Sequence, residues 1–393
     1  MLRDLKEQFL TEILKVREEA FALNAHLADH PEVSGMEYNA VKEIISILEN
    51  HHIDVEHDFA GLPTAFKAKI KKDPSSDVKV GILMEYDALP EMGHACGHSA
   101  SGSVSLLAAL ALANMGNQIE GTIELIGTPD EEVNGRKIDI GNQGSFRDYS
   151  YVIMIHMNSK VTLPSVQFMA LSQLEMTFTG KAAHATASPW EGRNALNGAV
   201  LAMHGMDMLR QHLIPGIRVS SIITEGGEAS NVVPEKARLK TCLRSKNSSS
   251  LDAITRAVKN CGHGAAIATQ TLVDFKKTGA DYKEMKLNAP GIDAIRAVMA
   301  ELNIPFSEDD GSITASSDIG NVSHICPAFH PMLAISDHYI PFHTNEFAEA
   351  MKTDHIKDVI EIGACIIGFF ILNTLYEPKL LDRIRQDFDG NLI

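Results

Sequence analysis

A thiol and two imidazoles are concentrated in the loop Gly93-His94-Ala95-Cys96-Gly97-His98. An apolar run at residues 81–84 precedes this loop and another at 106–115 follows it, so the donors follow a predicted strand and precede a predicted helix. A thiolate and an imidazole two residues apart are typical ligands of a transition metal. The sequence therefore predicts that Cys96 and His98 form half of a metal centre.

Two other interpretations of Cys96 stay open. A single cysteine in apolar surroundings is most often a small core residue. A cysteine nucleophile paired with a histidine is a third interpretation, but residues two apart in one loop rarely reach the geometry that such catalysis requires. This third interpretation predicts inhibition by thiol alkylation and indifference to chelators.

Further donors follow two more apolar runs. Glu131 and Glu132 come shortly after residues 121–127, and His156 ends the run 151–155. Ligands of open α/β sheets bind outside the carboxyl ends of the strands, so we expect these side chains to meet Cys96. Successive side chains of an extended segment point to opposite sides, so one glutamate can bind metal while the other handles protons. A solvated turn for the glutamates and a core position for His156 are the alternatives.

Three candidates lie farther along the chain. His343 comes just before a predicted helix, and His338 competes with it. His184 is surrounded by glycine and alanine, which leave room for another group to approach, although a surface histidine is the alternative. A glycine-led turn at 226–234 presents Asn231 as a polar contact for substrate.

The order of predicted elements indicates two domains, as 393 residues also suggest. Helices alternate with strands in residues 1–172 and 284–393, which predicts a discontinuous α/β domain. In residues 173–283 the predicted elements follow the order βαββαβ, with a helix at 251–261 and a strand at 266–275. This order is typical of a ferredoxin-like α+β module, here inserted into the first domain. We predict a final helix at 355–375.

Composition excludes several kinds of partner. The net charge of −16 repels phosphate backbones, so we expect no nucleic-acid binding. Five scattered cysteines suggest a reducing compartment, and the first residues contain no apolar signal core. The apolar runs 103–115 and 362–376 are shorter than the ~20 residues of a membrane span, so we expect buried helices and a cytoplasmic protein.

The chain resembles the co-catalytic metallopeptidases and amidohydrolases of the aminoacylase and carboxypeptidase G type, in the branch of hippurate, auxin-conjugate and p-aminobenzoyl-glutamate hydrolases. The motifs that support the resemblance run in family order along nearly the whole chain: Asp87-Ala88-Leu89-Pro90, His94-Ala95-Cys96-Gly97-His98, Glu131-Glu132, His156, residues 180–184, 229–234 and 316–323, and His343-Thr344-Asn345-Glu346-Phe347.

The resemblance implies a mixed-sheet, zinc-peptidase-like catalytic domain interrupted by a lid domain that also mediates dimerisation. It implies two divalent metal ions per subunit, and thiolate and imidazole donors favour zinc, with manganese as the alternative. By position, the metal ligands are Cys96, His98, Glu132, His156 and His343. Glu131 matches the general acid/base, Asp87 the acid that orients a ligand, and His184 the lid histidine that reaches a partner subunit's active site.

The implied activity is hydrolysis of amide bonds in peptides or N-acyl amino acids by a homodimer or homotetramer. An aminobenzoyl-glutamate-type amidohydrolase is the alternative within this class, and a non-catalytic metal-binding assembly protein is the alternative outside it. Ser99 replaces the aspartate that many relatives carry after the Cys-Gly-His triplet, and Gly127-Thr128-Pro129-Asp130 replaces the commoner Gln-Pro-Ala. Both departures weaken the transfer of a substrate identity.

Overall fold

The computed structural model describes residues 1–311 and 314–390 and confirms the mixed α/β class. The helices are α1 Leu2–Asp29, α2 Tyr38–Asn50, α3 His98–Met115, α4 Arg136–Asn142, α5 Ala195–Leu209, α6 Ser248–Thr269, α7 Ala289–Glu301, α8 Ile319–Val322, α9 Asn345–Ala350, α10 His355–Tyr376 and α11 Pro378–Gly390. The strands are β1 Val55–His57, β2 Phe66–Lys71, β3 Lys79–Met84, β4 Thr122–Gly127, β5 Tyr151–Ile153, β6 His156–Asn158, β7 Ala170–Thr179, β8 Arg218–Glu225, β9 Lys236–Ser245, β10 Leu272–Lys277, β11 Ala328–Phe329 and β12 Met332–Ala334.

The chain divides into two compact units. The first consists of Met1–Gln167, Met285–Ile313 and Asp318–Ile393, and the second of Phe168–Glu284 and Thr314–Ser317. The second unit therefore includes a short segment near residue 315 that lies outside the predicted insertion at 173–283. Its backbone is bonded to the residue just before β7, since the Met169 amide donates to the Ala315 carbonyl at 2.9 Å.

The first unit contains a six-stranded mixed sheet in the order β1-β2-β4-β3-β5-β11. Strands β4, β3, β5 and β11 run parallel to one another, and β2 runs antiparallel to β4. In β3 every residue after Lys79 is buried, as expected for a parallel strand covered on both faces. The carboxyl ends of β3, β4 and β5 lie at one edge of the sheet, and the predicted donors follow these three strands.

Helix α3 forms the centre of this unit's core. Residues 98–112 are all buried, and small serine and alanine side chains allow the helix to be enclosed on every side. It packs against α1, α10 and strand β3. The first residue of this enclosed helix is His98, so the core fixes the position of a predicted metal ligand.

The second unit has the predicted ferredoxin-like order. Its four-stranded antiparallel sheet is arranged β10-β7-β9-β8, with α5 and α6 packed against it. The predicted helix–strand boundary was wrong, because α6 continues to Thr269 and β10 begins only at Leu272. The helical spacing of buried residues continues through Ala265 and Ala266, and Gln270 ends the helix in the left-handed conformation, with φ of 56°.

The prediction of the last helix was also incomplete. Helix α10 matches it, but α11 follows directly and buries Leu380, Leu381 and Ile384. Among the described residues, two helical segments, His98–Gln118 and His355–Tyr376, are long and apolar enough to cross a membrane. Their most apolar stretches are 83% and 72% buried inside the fold, so length and composition are weak grounds for a membrane span here.

Candidate active site

The loop between β3 and α3 is shaped by a glycine between the two donors. Gly97 adopts φ of +86°, and a Cβ atom at this position would lie 2.6 Å from the Cβ of Met157. Only glycine is compatible with both the backbone conformation and this close approach. It allows the chain to turn sharply between Cys96 and His98, so that helix α3 begins at His98.

Asp87 orients His98 by a direct hydrogen bond. The His98 Nδ1–H donates to Asp87 Oδ1 at 2.9 Å, which leaves the Nε2 lone pair for a cation. Asp87 Oδ2 accepts from Ser34 Oγ at 2.7 Å and from the Glu132 amide at 3.0 Å. Burial alone would raise the pKa of Asp87, but His98 and these hydrogen bonds hold it well below its usual range. Asp87 is therefore a fixed anion behind the histidine.

His156 is held in the matching tautomer. Its Nδ1–H donates to the Met157 carbonyl at 2.6 Å, so its Nε2 lone pair faces Cys96 Sγ at 3.6 Å. Burial and the neighbouring His98 lower the pKa of His156 to about 4, which keeps the ring neutral and able to bind a metal. His156 does not end β5 as predicted, but begins the short strand β6, which pairs with β12.

The surroundings of Cys96 do not suit a cysteine nucleophile. Burial and the nearby Glu132 raise the pKa of its thiol well above the usual range, whereas a nucleophilic cysteine requires a lowered one. A thiolate at this place needs a cation close to the sulfur. The burial of the thiol beside Glu132 thus favours the metal-ligand interpretation of Cys96 over the cysteine hydrolase.

The expectation of an extended segment at Glu131 and Glu132 was wrong, because residues 131–134 form a turn. Asp130, just before it, adopts φ of 58°, and its amide donates to Glu37 Oε1 at 2.9 Å. Asp130 Oδ2 also accepts from Asn134 Nδ2 at 2.7 Å. The turn directs both glutamates to His98, within 4.8 Å between ligand atoms.

His343 reaches the same place from a distant part of the chain. It adopts φ of 59°, and its amide donates to the Ala95 carbonyl at 3.0 Å. Its Nε2 lies 3.7 Å from Glu132 Oε2. The competing His338 is exposed and interacts with Asp337 and Glu346, so the structure brings His343 to the cluster.

The predicted donors converge. Among the described residues, three groups made up of predicted donors have ligand atoms that all lie within 4.8 Å of one another: Cys96, His98 and His156; Cys96, Glu132 and His343; and His98, Glu131 and Glu132. Zinc bonds of about 2.3 Å to sulfur and about 2.0 Å to nitrogen at tetrahedral angles place the two ligand atoms about 3.5 Å apart. The observed Cys96–His156 separation of 3.6 Å fits this value.

Buried lone pairs also point to a cation. Within residues 1–311 and 314–390, Glu85 Oε2, His98 Nε2 and Glu132 Oε1 are buried without a hydrogen-bond partner. Glu85 Oε2 and His98 Nε2 face each other at 3.4 Å. Burial alone would lower the pKa of His98, but Asp87 and Glu85 raise it well above its usual range. The short distance therefore requires a positive charge between these two atoms, either a proton on Nε2 or a metal ion. The donor types and these unpartnered atoms therefore fit bound metal ions.

The sequence reasoning missed a buried ionic cluster beside the donors. Lys137 Nζ binds Glu85 Oε1 at 2.5 Å and Asp318 Oδ1 at 2.7 Å, and all three side chains are almost fully buried. Glu85, Glu131 and Asp318 form a further group of close oxygen donors. Glu85 could have been identified, since it precedes Asp87 by two residues and shares its side of an extended segment. The burial of Lys137 could not be predicted from the sequence, because Lys137 follows Arg136 and resembles an exposed surface lysine.

His184 and Asn231 belong to the second unit. Their segments pair through an isolated antiparallel bridge from His184 to Val232, and the Ala185 amide donates to the Asn231 carbonyl at 2.9 Å. Gly180 allows the neighbouring pairing of Lys181 with Arg193, because a Cβ atom at Gly180 would lie 1.9 Å from the Arg193 carbonyl oxygen. The structure thus brings the two predicted substrate contacts together.

Comparison with protein families identifies the second unit. Residues 170–261 match the peptidase dimerisation domain. Over 99% of this chain and 93% of the relative, the sequence is 32% identical to an Xaa-Arg dipeptidase of Mus musculus. It is 26% identical to one of the p-aminobenzoyl-glutamate hydrolase chains of Escherichia coli, over 91% of this chain and 89% of that one.

Solved structures share the fold at low sequence identity. A putative aminohydrolase from Staphylococcus aureus aligns with a TM-score of 0.80 at 19% identity, covering 94% of this chain and all of that one. A dinuclear metal-binding peptidase of the M20 family from Bacillus subtilis aligns with a TM-score of 0.70 at 18% identity, covering 94% and 99%. Both likenesses extend over the two units.

Proposed function

Since this chain belongs to the M20 family of peptidases and amidohydrolases and is a metal-dependent hydrolase of amide bonds, we propose that dipeptides are its substrates. We also propose that it binds two divalent metal ions. The observation that carries both proposals is the convergence of thiol, imidazole and carboxylate donors beside Glu131. The non-catalytic alternative is set aside, because the named relatives act on amide bonds.

The proposed metal ligands are Cys96, His98, Glu132, His156 and His343. A thiolate and three imidazoles favour zinc, and manganese is the second candidate. Metal ions bound here would polarise the scissile carbonyl and increase the acidity of water. Their positive charge would also stabilise the Cys96 thiolate, whose pKa burial and Glu132 otherwise raise.

Glu131 is the proposed general acid/base. Burial and the carboxylates of Glu85 and Glu132 raise its pKa well above the usual range, so this carboxylate readily accepts a proton. It takes a proton from the attacking water and delivers it to the leaving nitrogen, which balances the hydrolysis. Asp87 keeps His98 in the tautomer that presents Nε2.

The proposed role of the second unit is to contact substrate and to form a homodimer or homotetramer. Its match to the peptidase dimerisation domain supports this role. His184 would then hydrogen-bond the oxygen of the scissile group and Asn231 would contact substrate. In a dimer, His184 would act in the partner's active site.

Dipeptides are favoured over acylated amino acids by one comparison and one physical property. The likeness to Xaa-Arg dipeptidase extends along the full chain, and the net charge of −16 attracts cationic substrates and repels dianionic ones. We therefore expect dipeptides with a carboxyl-terminal arginine or lysine to be cleaved with a higher kcat/KM than p-aminobenzoyl-glutamate. A higher kcat/KM for p-aminobenzoyl-glutamate would contradict the dipeptide assignment.

The role of Glu131 is tested by Glu131→Gln. This amide keeps the size of the side chain but cannot accept the proton, so we expect kcat to fall by about 10²–10⁴-fold while the metal content measured by mass spectrometry stays the same. Glu120→Gln is the matched control, because Glu120 is an exposed acid of the same unit. Full activity of the Glu131 variant on the best dipeptide would refute the assignment.

A further inference from the structure

The imidazole of His184 accepts hydrogen bonds from the turn that follows it. The Thr186 and Ala187 amides point to His184 Nδ1 at 3.3 Å and 3.2 Å, and Thr186 Oγ1 lies 3.1 Å from the same atom. Both backbone groups can only donate. Nδ1 therefore receives them with its lone pair.

An imidazole nitrogen that accepts a hydrogen bond carries no proton. In the neutral ring the proton then lies on the other nitrogen, Nε2. A proton on Nδ1 would point at the Thr186 and Ala187 amide hydrogens, and both hydrogen bonds to Nδ1 would be lost. From this geometry we infer that the turn holds His184 as the neutral Nε2–H tautomer, so that it acts as a hydrogen-bond donor, with Thr186 as a positioning residue.

The backbone around the turn is itself fixed. The Val233 amide donates to the Ala183 carbonyl at 2.9 Å, the Ala185 amide to the Asn231 carbonyl at 2.9 Å, and the Ser188 amide to the His184 carbonyl at 3.2 Å. These bonds fix the backbone that carries His184, and the three contacts at Nδ1 orient the ring on it. The direction of the Nε2–H bond is set before any ligand binds.

This tautomer limits what His184 can do. The side chain is exposed, and within the described part of the chain its Nε2 has no hydrogen-bond partner. An outward N–H can donate to a carbonyl oxygen or an oxyanion, but it can neither bind a metal nor remove a proton through Nε2. Only the identity of the acceptor, the oxygen of the scissile amide, rests on the proposed function.

The tautomer is measurable in the full-length protein. Histidine labelled with nitrogen-15 gives separate resonances for protonated and unprotonated ring nitrogens, and the His184 pair is identified by its loss in His184→Gln. At neutral pH we expect an unprotonated Nδ1 and a protonated Nε2. A protonated Nδ1 would overturn the inference, whatever the activity of the enzyme.

The positioning role of Thr186 is tested by kinetics on a dipeptide that the wild type cleaves. Thr186→Val removes the hydroxyl, and we expect kcat to fall about three- to tenfold with KM little changed, since the donor bond strengthens in the transition state. Thr186→Ser restores the hydroxyl and should restore kcat. Thr255→Val is the matched control, because the Thr255 hydroxyl donates to the Leu251 carbonyl of its own helix.

The outcomes separate the two proposals. An unchanged kcat in Thr186→Val would overturn the positioning role. A wild-type enzyme that leaves all dipeptides intact would refute the proposed substrate, while the nitrogen-15 spectrum would still decide the tautomer.

Discussion

Replacement of Lys137 by methionine removes the only cation in the described structure that pairs with both Glu85 and Asp318. The ammonium group is fully buried and binds both carboxylates at 2.5 Å and 2.7 Å. Burial alone would raise the pKa of Glu85, but Lys137 and His98 outweigh it and lower that pKa to about 2. Without Lys137, two buried carboxylates lose their charge partner.

The size of the stability loss expected for Lys137→Met follows from the burial of its ion pairs with Glu85 and Asp318. Breaking a buried ion pair by removing one partner costs about 3–5 kcal/mol, because the remaining charge is left uncompensated. Since about 2 °C of melting temperature corresponds to 1 kcal/mol for a unit of this size, Lys137→Met should lower the melting temperature of the first unit by about 6–10 °C. Adding Asp318→Asn should recover part of the loss, since the two changes share one contact.

Thermal unfolding followed by calorimetry in the presence of chelator is the assay. Lys42→Met is the control, because Lys42 lies exposed on α2 and a surface change of this kind stays within about 0.5 kcal/mol. A Lys137→Met protein that melts within 1–2 °C of the wild type, a small fraction of the shift expected at about 2 °C per kcal/mol, would refute the buried ion-pair description.

Three further predictions concern other parts of the fold. Asp87→Asn should weaken metal binding by about 10–100-fold in a chelator competition, since the amide no longer supports the His98 tautomer; unchanged affinity would contradict this. Gly180→Ala should destabilise the second unit by at least about 1–3 kcal/mol in urea unfolding, because its methyl group collides with the Arg193 carbonyl, and unaltered stability would be the contrary result. With metal removed by chelator, the pKa of His156 in the folded protein is about 4, below the ~6.5 of an unfolded histidine. The contribution of neutral His156 to the free energy of unfolding is therefore fully present above pH ~6.5, and about 2–3 kcal/mol of it is lost as the pH falls to about 4. His156→Asn should flatten this part of the curve of unfolding free energy against pH.

The fold class and the convergence of the proposed metal donors could be predicted because both depend on local patterns. Apolar runs of strand length set β3, β4 and β5, and donors directly after them meet at one edge of a parallel sheet. The final position of His343 depended instead on the resemblance, since spacing alone did not separate it from His338. The structure separates them by the bond between the His343 amide and the Ala95 carbonyl.

The features that sequence reasoning missed are set by long-range contacts. The turn at Glu131 depends on the bond between the Asp130 amide and Glu37, nearly a hundred residues earlier in the chain. Lys137 is buried because Glu85 and Asp318 surround it, and nothing in its neighbours along the chain distinguishes it from an exposed lysine. The turn at Glu131 and the burial of Lys137 both depend on contacts with charged residues far away in the chain. The spacing of apolar residues along the sequence gives no information about such contacts.

We propose that donors spread between Cys96 and His343 along the chain bind the same pair of metal ions. Zinc K-edge X-ray absorption of the zinc-loaded enzyme tests it most directly. We predict a sulfur neighbour at about 2.3 Å with nitrogen and oxygen neighbours at about 2.0–2.2 Å, and loss of the sulfur signal in Cys96→Ser. A loaded wild-type enzyme whose zinc has only nitrogen and oxygen neighbours would contradict the account.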